Sequence, residues 1–151
     1  MRRKDKEITG KKEIKSIIER AQVCRLAMAE GAKPYLVPLC FGMVGNTLYF
    51  HSAPAGKKLS IIKKNPEVCF EFEAGFALVP STSACKIGLK FQSVIGFGRA
   101  HMVEDEKEKL QGLCAIVRHY SNAPCTFSPE ILEKTVVFKV VIKSMTGKKS
   151  G

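Results

Sequence analysis

The sequence predicts an α+β domain, mainly β, with about six short antiparallel strands in a barrel-like sheet and three flanking helices. Three observations predict it. Apolar and polar residues alternate with period two, as in segment 67–73, where Val68, Phe70 and Phe72 share one face. Neighbouring strands are joined by turns as short as 30–33 and Gly45-Asn46, too short for the crossovers of a parallel sheet. Glycines fall inside the longest strand region, at Gly88, Gly96 and Gly98, where bulges and close backbone approach bend a sheet. No GxGxxG follows a strand and opens a helix, so a doubly wound nucleotide fold is not predicted.

Each element has a local reason. Segment 11–21 is a helix, with Ile14, Ile17, Ile18 and Ala21 in one apolar stripe. Segment 23–29 is a strand, followed by the turn at 30–33. Segment 34–43 is a second strand with Tyr35, Val37, Leu39 and Phe41 on one face; Pro38, which cannot donate to a ladder, marks an edge or a bulge. In the strand 47–51, Leu48 and Phe50 face one way, Tyr49 and His51 the other. A short helix at 54–64 is stopped by Asn65-Pro66, and the strand 67–73 follows. Residues 74–83 read as a loop and 86–103 as a long strand region. The helix 104–120 opens on Glu104, Asp105, Glu106 and Glu108, as the helix dipole favours. A loop at 121–129 precedes a last strand at 136–143. The 151 residues fit one domain, with 1–10 and 144–151 as flexible basic tails.

Composition narrows the function classes. A net charge of +11 attracts anions of every kind, from nucleic acid to phosphorylated cofactors. A nucleic-acid-binding barrel would interleave aromatics with its basic residues, whereas the Phe residues here keep strand periodicity. No apolar run approaches the roughly 20 residues that span a bilayer. The basic start lacks the apolar core of a secretion signal, so a cytoplasmic protein with free thiols is expected. None of the six cysteines is paired at CxxC spacing, and no metal site is predicted.

Chemistry concentrates in His51-Ser52-Ala53-Pro54-Ala55-Gly56-Lys57-Lys58, between a strand end and a helix start. A helix N-terminus is partially positive and carries unpaired N–H groups, so lysines in its first turn cost about 0.3–1 kcal/mol each. A bound phosphate, held by those N–H groups, the Ser52 hydroxyl and the two ammonium groups, reverses that sign. Two readings stand: an anion site, or two solvated lysines that the helix tolerates. His51 is either an acid/base or ligand-binding group beside the turn, or a histidine with a backbone partner. Ser93 shares a strand face with Phe91 and Ile95, where a hydroxyl needs a partner in main chain or ligand. No Ser/His/Asp or Cys/His grouping assembles from spacing, and Glu71 and Glu73 read as a solvated or interface face.

Four segments occur in an order that resembles a known family. They are Val37-Pro38-Leu39-Cys40-Phe41-Gly42, then Leu48-Tyr49-Phe50-His51-Ser52-Ala53 with Gly56-Lys57-Lys58. Asn65-Pro66-Glu67-Val68-Cys69-Phe70-Glu71 and Ser93-Val94-Ile95-Gly96-Phe97-Gly98-Arg99-Ala100 follow. The chain is similar to the nitroimidazole-resistance branch of the pyridoxamine phosphate oxidase-like flavoproteins. That resemblance implies a six-stranded split β-barrel, a homodimer, and FMN, in some members FAD, where the subunits meet. It implies that Lys57 or Lys58 contacts the flavin phosphate with Ser52 nearby, and that the backbone of Val37, Pro38 and Leu39 lines the isoalloxazine. Ser93 corresponds to a polar flavin contact often given by the other subunit, and His51 to a histidine facing the flavin-side pocket. The substrate-binding Arg and His near the oxidases' C-terminus have no counterpart, which argues against vitamin B6 oxidation. The resulting expectation is a flavin-dependent reductase of a small molecule, of nitroimidazole type. A flavin carrier or sensor and a cofactor-free nucleic-acid-binding barrel are the alternatives.

Overall fold

The computed structural model describes residues 3–150, and within them the alternating segments pair into one antiparallel sheet. Its strands are β1 (Glu7–Ile8), β2 (Cys24–Glu30), β3 (Lys33–Leu39), β4 (Gly42–Val44), β5 (Thr47–Ser52), β6 (Glu67–Val79), β7 (Gly88–Met102) and β8 (Val136–Ser150). The order is β3-β2-β6-β7-β8-β5-β4, with β1 added to β8. The helices are α1 (Lys11–Arg20), α2 (Lys57–Lys64), α3 (Glu106–Tyr120) and α4 (Pro129–Lys134). Leu26 and Met28 near one end of the strand order share a single core with Leu48 and Phe50 near the other. The sheet is therefore rolled, while its edge strands β3 and β4 stay unpaired with each other: a split barrel.

The core is aromatic. Phe50 stacks on Phe138 with ring centroids 5.1 Å apart, and Phe41 meets Phe72 at 4.6 Å. Phe70 lies across β7 because residue 96 is glycine: a Cβ there would overlap the Phe70 ring. That close approach turns Val94, Gly96, Gly98 and Ala100 inward. It leaves Ser93, Ile95, Phe97 and Arg99 on the outer face of the sheet. Pro38 lies on an edge strand, as its missing N–H requires.

Several expectations change. The described residues hold eight strands, not six. The predicted strand 34–43 breaks at Cys40-Phe41 because Phe41 is fully buried and its N–H donates to the Tyr120 hydroxyl (3.2 Å). Strand β6 runs on through the predicted loop to Val79, past a bulge between Ala74 and Ala77. Helix α4 was not anticipated; Ser128 caps it, accepting from the Ile131 N–H, and Pro129 starts it. The predicted tails are largely paired. Ser150 stands opposite Phe91, and Glu7 opposite Lys148; Met1, Arg2 and Gly151 lie outside the described residues. The thiols are not all free: Cys114 of α3 and Cys125 form a disulfide with Cα atoms 5.4 Å apart, within the span such a bridge needs. Among the described residues no helix is long and apolar enough to cross a membrane, and no cluster of three His, Cys, Asp or Glu offers a metal site.

The outer face of the sheet divides in two. On β5 and β8, Tyr49 and Val137 are buried under Leu113 of α3, with Phe127 and Leu132 packed alongside. On β3, β2, β6 and β7 no described residue covers the outer face. There Leu36, Ala27, Cys69 and Phe97 form a cross-strand row, with Leu36 58% and Phe97 56% exposed. Ile95, Leu89 and Leu78 extend this apolar surface along the β6–β7 hairpin.

Candidate functional site

Strand β5 ends at Ser52, held opposite Val136 of β8. Alternation carries Leu48, Phe50 and Ser52 to the core side, so Ser52 is only 6% exposed. Its hydroxyl has no hydrogen-bond partner among the described residues. A sealed, unpaired hydroxyl costs about 1–3 kcal/mol, and such a group calls for an explanation.

Four residues later the chain passes Gly56, whose φ of 145° and ψ of 160° belong to a region open only to glycine. This turn aims the start of α2. Leu59, Ile61 and Ile62 bury one face of the helix, and Lys64 anchors its far end to Glu30 of β2 (2.8 Å). No side chain caps the N-terminus, and its first turn holds no acidic residue. The first N–H groups therefore face outward with Lys57, which is exposed, and Lys58, which is half-buried. Uncapped dipole, two ammonium groups and an orphaned hydroxyl within seven residues make one positively polarised corner.

Sequence-distant β3 joins this corner. The Lys57 ammonium sits 4.7 Å from the centroid of the Tyr35 ring. Val37 and Leu39, on the same side of β3 as Tyr35, are half-buried against the core, and Pro38 is exposed. The other edge of β3 pairs with no strand among the described residues, so its main chain is open to a ligand. Of the predicted residues, Ser52, Lys57 and Lys58 flank one turn, and Val37, Pro38 and Leu39 lie further along the strand whose Tyr35 meets Lys57. Tyr35 is the member that sequence reading missed. Its alternation with Val37 was visible, but its meeting with Lys57 depends on how α2 packs against β2.

Two other candidates lie elsewhere. His51 points to the opposite face of β5 from Ser52 and is exposed. Ser93 is 8% exposed and stands between Glu73 and Lys148. Lys148 is twelve residues along β8 from Val136, the partner of Ser52. That is on the order of 40 Å of strand at about 3.3 Å per residue. Beside Ser93, Arg25 binds both Glu71 (3.0 Å) and Glu73 (2.8 Å). Burial nonetheless holds the Glu71 carboxyl above its ordinary range, against the pull of Arg25. These carboxylates are engaged by one guanidinium and do not face the Ser52 corner.

The sequence model of the pyridoxamine 5'-phosphate oxidase family matches residues 10–149. A protein of Bacteroides thetaiotaomicron VPI-5482, described as a candidate 5-nitroimidazole antibiotic resistance protein, is 34% identical with a TM-score of 0.85. That match covers 95% of this chain and 86% of the other. An FAD-binding protein of Mesorhizobium loti shares the fold at TM-score 0.71 and 21% identity, over 94% of this chain and 96% of that one. An uncharacterised protein of Rhizobium meliloti strain 1021 is 30% identical over 64 residues, and that match spans 42% of either chain.

Proposed function

The chain belongs to the pyridoxamine 5'-phosphate oxidase family, and on that premise we propose that it is an FMN-binding homodimeric oxidoreductase that reduces a small nitroaromatic substrate. The observation that carries the flavin assignment is the buried Ser52 hydroxyl without a partner, beside the uncapped start of α2 and its two lysines. A phosphate monoester fits that donor set: hydroxyl, backbone N–H groups and ammonium groups all donate, and the ester brings acceptors and negative charge. Lys57, Lys58 and Ser52 would hold the flavin phosphate, and the free edge of β3 at Val37, Pro38 and Leu39 would lie along the ring system. FAD, the ligand in the Mesorhizobium protein's description, would use the same corner through its pyrophosphate. Bound flavin would supply a reversible two-electron store, and the chain supplies its binding, orientation and electrostatics.

The uncovered outer face supports the homodimer. Its apolar row is the kind of patch that marks a partner surface, and a two-fold contact would bury the same row from both copies. Ser93 lies on that face, remote from its own Ser52, and would reach flavin only across the pairing. His51, an exposed imidazole beside the turn, takes the proton-handling role. The likeness to the Bacteroides protein, whose description names 5-nitroimidazole resistance, supports the nitro substrate. Because His51 lies on the opposite face of β5 from Ser52, a flavin carrier without turnover is the second reading.

Purified protein is expected to be yellow and to release FMN on denaturation. Lys57→Ala with Lys58→Ala should weaken FMN binding about tenfold or more while leaving riboflavin, which has no phosphate, nearly unaffected. An unchanged ratio of the two affinities overturns the phosphate assignment. Anaerobic loss of nitro absorbance with an added electron donor distinguishes reductase from carrier, and His51→Ala should abolish most of it.

A further inference from the structure

We propose that Tyr35 is a positioning residue of this anion site: the face of its ring holds the Lys57 ammonium at the start of α2, so that the corner is set to take a phosphate before one arrives. The inference rests on the flavin-phosphate reading and adds a residue to it. The Lys57 ammonium lies 4.7 Å from the Tyr35 ring centroid, within cation–π range. Tyr35 itself is a fixed platform. It is half-buried, packs on the main core, and stands opposite Met28 in the β2–β3 ladder.

Lys57 makes no ion pair among the described residues, and the nearby Glu30 is already taken by Lys64 at 2.8 Å. This choice of partner has a chemical consequence. A carboxylate would hold Lys57 still but would neutralise it and compete with an incoming phosphate. The face of an aromatic ring restrains the flexible stem and leaves the full positive charge available. Tyr35 is thus expected to favour phosphate-bearing flavin over riboflavin without touching the phosphate itself.

The test is equilibrium binding of FMN and of riboflavin to the full apo chain, followed by flavin fluorescence. Tyr35→Leu should weaken FMN binding about two- to fivefold and leave riboflavin binding unchanged. Tyr35→Phe, which keeps the π-face and removes the hydroxyl, should match the wild type. In a Lys57→Ala background Tyr35→Leu should have no further effect. If the leucine variant does not fold, Tyr35→Met, which fills similar space without a ring, carries the same expectations. Equal losses for both flavins would show Tyr35 to be only a packing residue, and a phenylalanine variant as weak as leucine would show that the hydroxyl acts; either result overturns the proposal. If Lys57→Ala and Lys58→Ala together leave the FMN-to-riboflavin ratio unchanged, the phosphate reading itself fails. If they change it and Tyr35→Leu does not, only the role of Tyr35 fails.

Discussion

The two halves of the outer sheet face are made of similar residues and have opposite fates. Under α3, Tyr49 and Val137 are sealed with Leu113, while across β3, β2, β6 and β7 Leu36, Ile95 and Phe97 stand open. The covered half is fastened by polar contacts as well. Tyr49 donates to Glu108 (3.0 Å), Lys139 binds the same carboxylate (2.6 Å), and the disulfide ties Cys125 back to α3. The open half keeps its charges in local sets, Arg25 with Glu71 and Glu73, and Arg99 and Lys143 with Glu67. The lesson is that one half is finished by the chain's own helix, whereas no described residue finishes the other, which is the face that the proposed homodimer would use.

Five variants break or sharpen that contrast. The largest effect is expected from Ile95→Asp combined with Phe97→Asp. Sedimentation equilibrium should show the dimer dissociation constant raised at least about a hundredfold, roughly 3 kcal/mol, with an unchanged circular dichroism spectrum. On the proposed pairing FMN affinity should fall with it, because Ser93 would then be given across the contact. A doubly substituted chain that still dimerises would make the open half an ordinary solvent face. Comparable in size, Leu113→Ala should cost about 2–5 kcal/mol in urea unfolding, since it empties the covered half. Phe97→Ala, by contrast, should shift apparent stability only in a manner that depends on protein concentration.

A smaller effect is expected at Tyr49. Burial, and then its bond to Glu108, push its hydroxyl from the ordinary value of 10.0 up to about 12. A raised value in the folded state means that this contribution is whole below pH 10 and is lost as pH rises through about 12. Tyr49→Phe should cost about 1 kcal/mol at neutral pH. Its stability curve should then fall less steeply than the wild type between pH 10 and 12. Parallel curves would mean that Tyr49 does not titrate in that window. The smallest effect belongs to Ser52→Ala. Removing a sealed and unpaired hydroxyl should leave the apo chain equally stable, or more stable by up to about 1 kcal/mol, while weakening FMN binding. A clear loss of apo stability would mean that the hydroxyl has a partner within the chain.

Much of this was legible in the sequence. Period-two alternation marks β5 and the first half of β6, and the misplaced charges of Lys57 and Lys58 mark the corner at α2. What escaped depended on contacts between distant segments. On β7 both faces carry apolar residues, so alternation alone does not say which faces inward. The Phe70 ring decides it, by requiring glycine at position 96. The break at Cys40-Phe41 depends on Tyr120, about eighty positions away, and the pairing of Cys114 with Cys125 depends on where α3 ends. Ser52 was singled out from its place beside the turn, but the absence of any partner for its hydroxyl is visible only once β8 is in position.

The half-buried thiol of Cys69, set between Ala27 and Phe97, gives this chain a chemical gauge of its own. An alkylating reagent would modify the exposed Cys40 and Cys85 of the single chain and, on the proposed pairing, would reach Cys69 only while that side of the barrel is bare. Peptide mapping after timed alkylation would then follow subunit exchange in unsubstituted protein, at whatever dilution the cell or the experimenter imposes.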